Sequence, residues 1–139
     1  MSARILVHEL DIPIRWGDMD AMGHVNNTVY FRYMEQIRIA WLEALGFRPE
    51  PADEGPLIIN ASCTFLRELR YPGTVTCRLY AGAAGRSTLD TYTDMYDRRD
   101  ADEPCASGAA RIIWVDHRRK KSAPLPEHAR AAMMRPWGQ

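Results

Sequence analysis

Between Tyr30 and Leu45 the apolar residues Tyr33, Met34, Ile37, Trp41, Ala44 and Leu45 follow Tyr30 at intervals of 3, 4, 7, 11, 14 and 15. That spacing draws one stripe along an α-helix, which must bury that face against something else. It is the one long helical pattern in the chain, and most of the rest alternates with the period of a strand. Gly46 stands where a left-handed C-terminal cap would end the helix. Phe31, Ile39 and Leu42 lie off the stripe, which predicts a second apolar packing surface, such as another subunit.

Ahead of the helix, Leu10, Ile12, Ile14 and Trp16 alternate with Glu9, Asp11, Pro13 and Arg15, the pattern of a half-buried strand. Pro13 lacks a backbone donor and puts that strand at an edge or a bulge. After the helix, Leu57, Ile59, Ala61, Cys63 and Phe65 alternate with Ile58, Asn60, Ser62 and Thr64. Val75, Cys77, Leu79 and Ala81 repeat the pattern, as do residues 87–97 and 106–116. Tyr71-Pro72-Gly73 reads as a type II turn, Gly82 to Gly85 as another turn, and 98–103 as a loop. Short turns between successive strands imply antiparallel neighbours. The expected architecture is α+β: a long helix against a five-stranded antiparallel sheet, with a short C-terminal helix after "PLP". A chain of 139 residues builds one such core, so 1–139 is expected to be one domain.

Several function classes are excluded early. Eighteen basic residues balance eighteen acidic ones, so no global field recruits nucleic acid or an acidic membrane. No apolar run is long enough to span a membrane, and "MSARILVHEL" does not read as a cleavable leader. The three cysteines, Cys63, Cys77 and Cys105, are odd in number and far apart, which argues against disulfides and fits a reducing, cytoplasmic setting. His8, His24, His117 and His128 have no ligand spacing, so no metal site is expected. There is no Gly-x-Ser-x-Gly elbow, no phosphate loop and no dinucleotide fingerprint. The basic run "HRRKK" at 117–121 reads either as a phosphate clamp or as a solvated strand end.

The chemistry concentrates before the helix. Asp18, Asp20, Gly23, His24, Asn26 and Asn27 fall within ten positions. A helix N-terminus carries unpaired amides and partial positive charge, so it attracts an anion or a developing oxyanion. Capping alone would account for Asn27 or Thr28, and the two aspartates would complement the helix dipole. It does not account for both glycines of the stretch, Gly17 and Gly23, together with the histidine and a second asparagine. Glycines in such a loop bring its backbone close to something.

The stretch "DMDAMGHVNNTVYFRYMEQIR" resembles the signature of hot-dog-fold acyl-CoA thioesterases of the 4-hydroxybenzoyl-CoA thioesterase type. Its features are Asp-x-Asp, a glycine after two intervening residues, a short turn, Asn-x-x-Tyr and a helix with Glu and Arg. The element order agrees over nearly the whole chain. The resemblance implies a long central helix wrapped by an antiparallel sheet, in subunits that pair as a homodimer or homotetramer. It implies Asp20 as the catalytic carboxylate, the Asn27 backbone amide as oxyanion donor, and Gly23 as the residue that lets the loop approach the thioester. Asp18 then orients the loop, and Glu35 is the second choice of carboxylate. Candidate substrate contacts are His24, Asn26 and Tyr30 near the motif, and Arg86, Ser87, Arg118 and Arg119 farther along the chain.

A thioester carbonyl is a good electrophile, so hydrolysis needs a positioned nucleophile and a stabilised oxyanion. Asp20 either activates water or attacks directly, and both routes remain open. No metal or redox cofactor is called for, since coenzyme A enters as part of the substrate. The alternatives are a hydrolase of acyl-carrier-protein thioesters, a hot-dog dehydratase, a non-catalytic acyl-CoA-binding module and a nucleic-acid accessory protein. Asp-x-Asp before the helix favours hydrolysis; neutral charge without interleaved aromatics disfavours nucleic acid.

Overall fold

The computed structural model describes residues 3–47 and 53–138. Strand β1 (Ile5–Pro13) leads through a 3-10 turn at Trp16–Asp18 into helix α1 (Asn27–Ala44). Strands β2 (Glu54–Phe65), β3 (Thr74–Ala84), β4 (Thr88–Asp97) and β5 (Ala106–Asp116) follow. A two-residue β6 (Lys121–Ser122) and a short helix α2 (Glu127–Met133) end the order. Every pairing is antiparallel, in the sequence β1-β3-β4-β5-β2, with β6 beside the end of β5. One sheet face is packed on α1, which is the hot-dog fold. No helix among the described residues is long and apolar enough to cross a membrane.

The stripe on α1 is the organising contact. Tyr30, Tyr33, Met34, Ile37, Trp41 and Leu42 are buried, each contributing about 1.5–3 kcal/mol by removal from water. They meet the inward residues of β3 (Val75, Cys77, Leu79), β4 (Leu89, Met95) and β5 (Ala106, Ala110, Ile112). Small residues on β5 let the helix come close: a Cβ at Gly108 would lie 2.6 Å from Met34 Sδ. The opposite face is polar, with cross-strand pairs Arg78–Glu9 at 2.9 Å and Arg111–Asp90 at 2.7 Å. Such exposed pairs stabilise by about 0–1 kcal/mol each, so the helix-facing side holds the fold together.

Gly46 ends α1 as its position predicts. Its φ is +89°, and the Gly46 N–H bonds the Glu43 carbonyl at 3.0 Å while the Phe47 N–H bonds Leu42 at 2.9 Å. Phe47 then packs edge-on against Trp114, ring centroids 5.8 Å apart. Pro13 lies at the end of an edge strand, also as expected.

Five local expectations need correction. The first strand ends at Pro13, because Asp18 Oδ2 accepts the Arg15 N–H at 2.9 Å and draws the chain into the 3-10 turn; Trp16 is thereby 77% exposed. Leu42 is buried, so the second apolar surface of α1 is reduced to Phe31 and Ile39. A bulge between Ile58 and Asn60 shifts the phase of β2: Ile58 sits opposite the buried Ile112, and Leu57 opposite Ile113 on the outer face. At Tyr71-Pro72 the peptide is cis and Gly73 has no positive φ, so the turn is not type II. Finally, β3 runs through Gly82 to Ala84, and the turn falls at 85–87, closed by the Gly85 N–H on Thr88. Gly82 is there for closeness, since a Cβ would sit 2.7 Å from the Tyr92 ring.

Candidate active site

The loop before α1 is a small closed structure. Met19 and Val25 form a β-bridge, and the Asp20 N–H bonds the His24 carbonyl at 3.0 Å. Gly23, with φ +86°, turns the chain and donates its N–H to the Asp20 carbonyl at 3.1 Å. The Val25 N–H bonds the Leu69 carbonyl at 2.8 Å, which fixes the loop to the β2–β3 connection. Asp18 is a strut: its Oδ2 accepts the Arg15 N–H and the Tyr33 hydroxyl, the latter at 2.8 Å. Burial, followed by the Asp18 bond and charge, holds the Tyr33 phenol well above its ordinary pKa, so it stays a proton donor.

The helix cap is Asn26, one residue earlier than the two candidates read from the sequence. Its Oδ1 accepts the Thr28 N–H at 2.9 Å and the Thr28 hydroxyl at 2.6 Å. Asn27 is consequently the first helical residue. Among the described residues no acceptor takes its N–H. Asp20 Oδ1 accepts the Met22 N–H at 2.9 Å, and Oδ2 lies 3.4 Å from Asn26 Nδ2.

Asp20, His24, Val25, Asn27 and Tyr30 line one wall of a cleft of about 340 Å³. The other wall is Phe65, Leu66, Arg67 and Glu68, from the end of β2 and the segment after it. Tyr30 meets Phe65 edge-on at 5.1 Å between ring centroids. His24 Nε2 is 3.6 Å from Glu68 Oε1. The bond from Arg70, followed by the charge of His24, holds the Glu68 carboxyl below its ordinary range. Arg67 is engaged elsewhere, bonding Asp100 at 2.8 Å and the Glu103 carbonyl. Nothing local in the sequence marked Phe65 to Glu68, because only the folded chain brings them to the loop.

The cleft therefore gathers a carboxylate, a free backbone donor at a helix N-terminus and aromatic surface. A larger concavity of about 500 Å³ on the outer sheet face includes Asn60, Asp90, Tyr92 and Arg111. There Arg111 and Asp90 neutralise each other at 2.7 Å.

The remaining candidates lie elsewhere within the chain. Glu35 is exposed and pairs with Arg32 at 3.1 Å. The carbonyls of Arg86 and Ser87 accept from Leu125 and Trp114, near the far end of β5. Arg118 pairs with Asp53 at 2.7 Å, and Arg119 lies 3.7 Å from Asp116. Phe65 stands opposite Ala106, whereas the basic turn follows Asp116. Ten residues of extended strand at ~3.3 Å each put that turn roughly 30 Å from the cleft in one chain.

Known proteins share this fold. The PA2801 protein of Pseudomonas aeruginosa, a candidate thioesterase, superposes with a TM-score of 0.87 at 42% identity, covering 91% of this chain and 98% of that one. A 1,4-dihydroxy-2-naphthoyl-CoA thioesterase from Synechocystis shares the fold at a TM-score of 0.82 and 15% identity, over 94% and 96% of the two chains. The chloroplastic acyl-acyl carrier protein thioesterase ATL3 of Arabidopsis thaliana is 28% identical over 116 residues, 80% of this chain and 60% of its own length. The profile of the thioesterase-like superfamily matches residues 14–133, and the chain belongs to that family.

Proposed function

We propose that this protein hydrolyses acyl-CoA thioesters in the cleft between the start of α1 and the end of β2. The observation that carries the reading is the pairing, in one cleft, of the Asp20 carboxylate with the bond-free Asn27 N–H. The thioester carbonyl would lie with its oxygen on that N–H, where the helix dipole also favours negative charge. Asp20 either takes a proton from an attacking water or attacks the carbonyl itself to give a mixed anhydride that water then opens. Carbon–sulfur cleavage expels coenzyme A as thiolate, a stable leaving group that asks for little acid catalysis. Gly23 keeps the loop backbone thin at the cleft, while His24 and Tyr30 contact substrate. No metal or redox group takes part.

The two ends of the sheet come together in a dimer. β2 is an edge strand with Leu57, Ile58, Ile59 and Phe65 exposed, an apolar edge suited to a second copy of itself. Two β2 edges pairing antiparallel about their midpoints would set Phe65 beside the Glu54 end of the other strand. Arg118 of the partner subunit would then reach the cleft mouth, where the nucleotide phosphates of coenzyme A need cations. The same geometry brings in Arg86 of the partner subunit, and a homodimer or homotetramer completes the site.

A second reading, hydrolysis of acyl-carrier-protein thioesters, is favoured by the relative named for that activity. Release of free thiol from a panel of acyl-CoA esters, run beside acyl-carrier protein bearing the same chains, separates the two. In the same assay Asp20→Asn keeps shape and loses the base, so kcat should fall by at least about 10² with substrate still bound. Near-full activity in that variant overturns the assignment of Asp20.

A further inference from the structure

Asn26 touches both acids of the motif and the helix at once. Its N–H bonds the Asp18 carbonyl at 3.0 Å. Its Oδ1 is held by the Thr28 N–H and hydroxyl, and this fixes which end of the side-chain amide is oxygen. The other end, Nδ2, is thereby turned to Asp20 Oδ2 at 3.4 Å. Asp20 Oδ1 is already held by the Met22 N–H at 2.9 Å. One bond on each oxygen stops the carboxylate rotating and still leaves each oxygen a lone pair for chemistry. We infer that Asn26 is a positioning residue, which uses the helix cap as an anchor to aim the Asp20 carboxylate into the cleft. This rests on the reading of Asp20 as base or nucleophile, and it replaces the expectation that Asn26 contacts substrate.

The cap itself supplies the test, because Ser and Asp are as good at that position as Asn. Asn26→Ser keeps an acceptor for the Thr28 N–H and deletes the donor to Asp20. Asn26→Asp keeps the cap and sets a second carboxylate against Asp20. The other ionisable groups around Asp20 are Asp18 on its own loop, His24, Tyr30 on α1, and Arg67 and Glu68 from across the cleft; none of them changes in either variant.

Benzoyl-, butyryl-, octanoyl- and palmitoyl-CoA are assayed by thiol release, and the one hydrolysed fastest is used throughout. Asn26→Ser should lower kcat by about tenfold or more with KM unchanged, since a misaimed group costs up to about 10²-fold. Asn26→Asp should lower kcat further and move the acid limb of the pH–rate profile up by about one unit, because like charges disfavour ionisation. Normal kcat in both variants, with thermal melts intact, means that Asn26 only caps, and the inference fails. A raised KM with unchanged kcat means that it binds substrate, and the inference fails again. Should Asn26→Asp not fold, Asn26→Ser decides alone. Asp20→Asn, run alongside, separates the layers: if it stays active, the assignment of Asp20 falls and takes this inference with it, and if the wild type cleaves no ester, the hydrolase reading falls as well. If it is dead while both Asn26 variants are normal, only the positioning role falls.

Discussion

At its C-terminal end α1 closes on its own chain. The Gly46 and Phe47 amides turn back to bond Glu43 and Leu42, and Phe47 seals the corner against Trp114. At its N-terminal end the same helix is only partly finished: Asn26 satisfies Thr28, while the Asn27 N–H bonds no described residue. Asn27 is exposed, so in the free protein that donor costs little, because water meets it. In the proposed mechanism a substrate oxygen would displace that water without breaking anything in the fold. One end of the helix thus serves stability and the other is, on the proposed function, left open for chemistry, so substitutions at the two ends should give opposite signatures.

The largest effect is expected at the open end. Asn26 has φ −62° and ψ 140°, the extended conformation that a residue before proline prefers. Asn27 occupies the first helical position, where proline's missing N–H breaks no helix bond. Asn27→Pro should therefore fold and lack only the proposed oxyanion donor. Turnover of an acyl-CoA should fall by roughly 10²–10³, whereas Asn27→Ala, which keeps the N–H, stays near wild type. Melting curves for both variants accompany the assay. Equal activity in folded Pro and Ala variants would reduce this mouth to an ordinary helix start.

A middle-sized effect is expected at the basic turn. Arg118 and Asp53 are both largely exposed, so breaking their pair should not disturb the fold. If Arg118 of the partner subunit binds nucleotide phosphate, Arg118→Ala with Arg119→Ala should raise KM for acyl-CoA by about tenfold, the equivalent of one charge-assisted bond. An acyl-pantetheine thioester, which lacks the nucleotide, should be cleaved as before. Light scattering on the intact protein should give the mass of two or four chains. A single-chain mass at micromolar concentration would remove the partner from the site.

What the sequence made legible follows from how local each signal is. The α1 stripe is buried as read from Tyr30 to Trp41, although Ala44 is exposed and Leu42 joins the buried face instead, and Gly46 ends the helix as read. The strands were found for the same reason, but β2's phase was not, because one extra residue at Ile59 inverts an alternation without any change in composition. The cap was read one residue late. Asn26, Asn27 and Thr28 are all strong caps, and only backbone geometry decides among them. Asp20, His24, Asn27 and Tyr30 do gather at the cleft, since a single loop and one helical turn carry them, while Gly23 turns that loop without lining the cleft. Phe65, Leu66, Arg67 and Glu68 were invisible as cleft residues because about forty residues of chain separate them from that loop.

The smallest effect, and the control on the comparison, is Gly46→Ala at the closed end. A Cβ there would meet nothing within 4 Å, so the substitution acts through the backbone alone. At φ +89° an L side chain costs about 1–2 kcal/mol, which for a chain of this size lowers Tm by several degrees. The helix would lose its stop but not its start, and Asp20, Asn26 and Asn27 lie more than five turns away. Measured at 25 °C, well below the melt, kcat and KM should match wild type. A variant that melts early yet works normally keeps the two ends independent. A fall in kcat approaching that of Asn27→Pro, in protein still folded, would mean that the cap holds the open end in place as well.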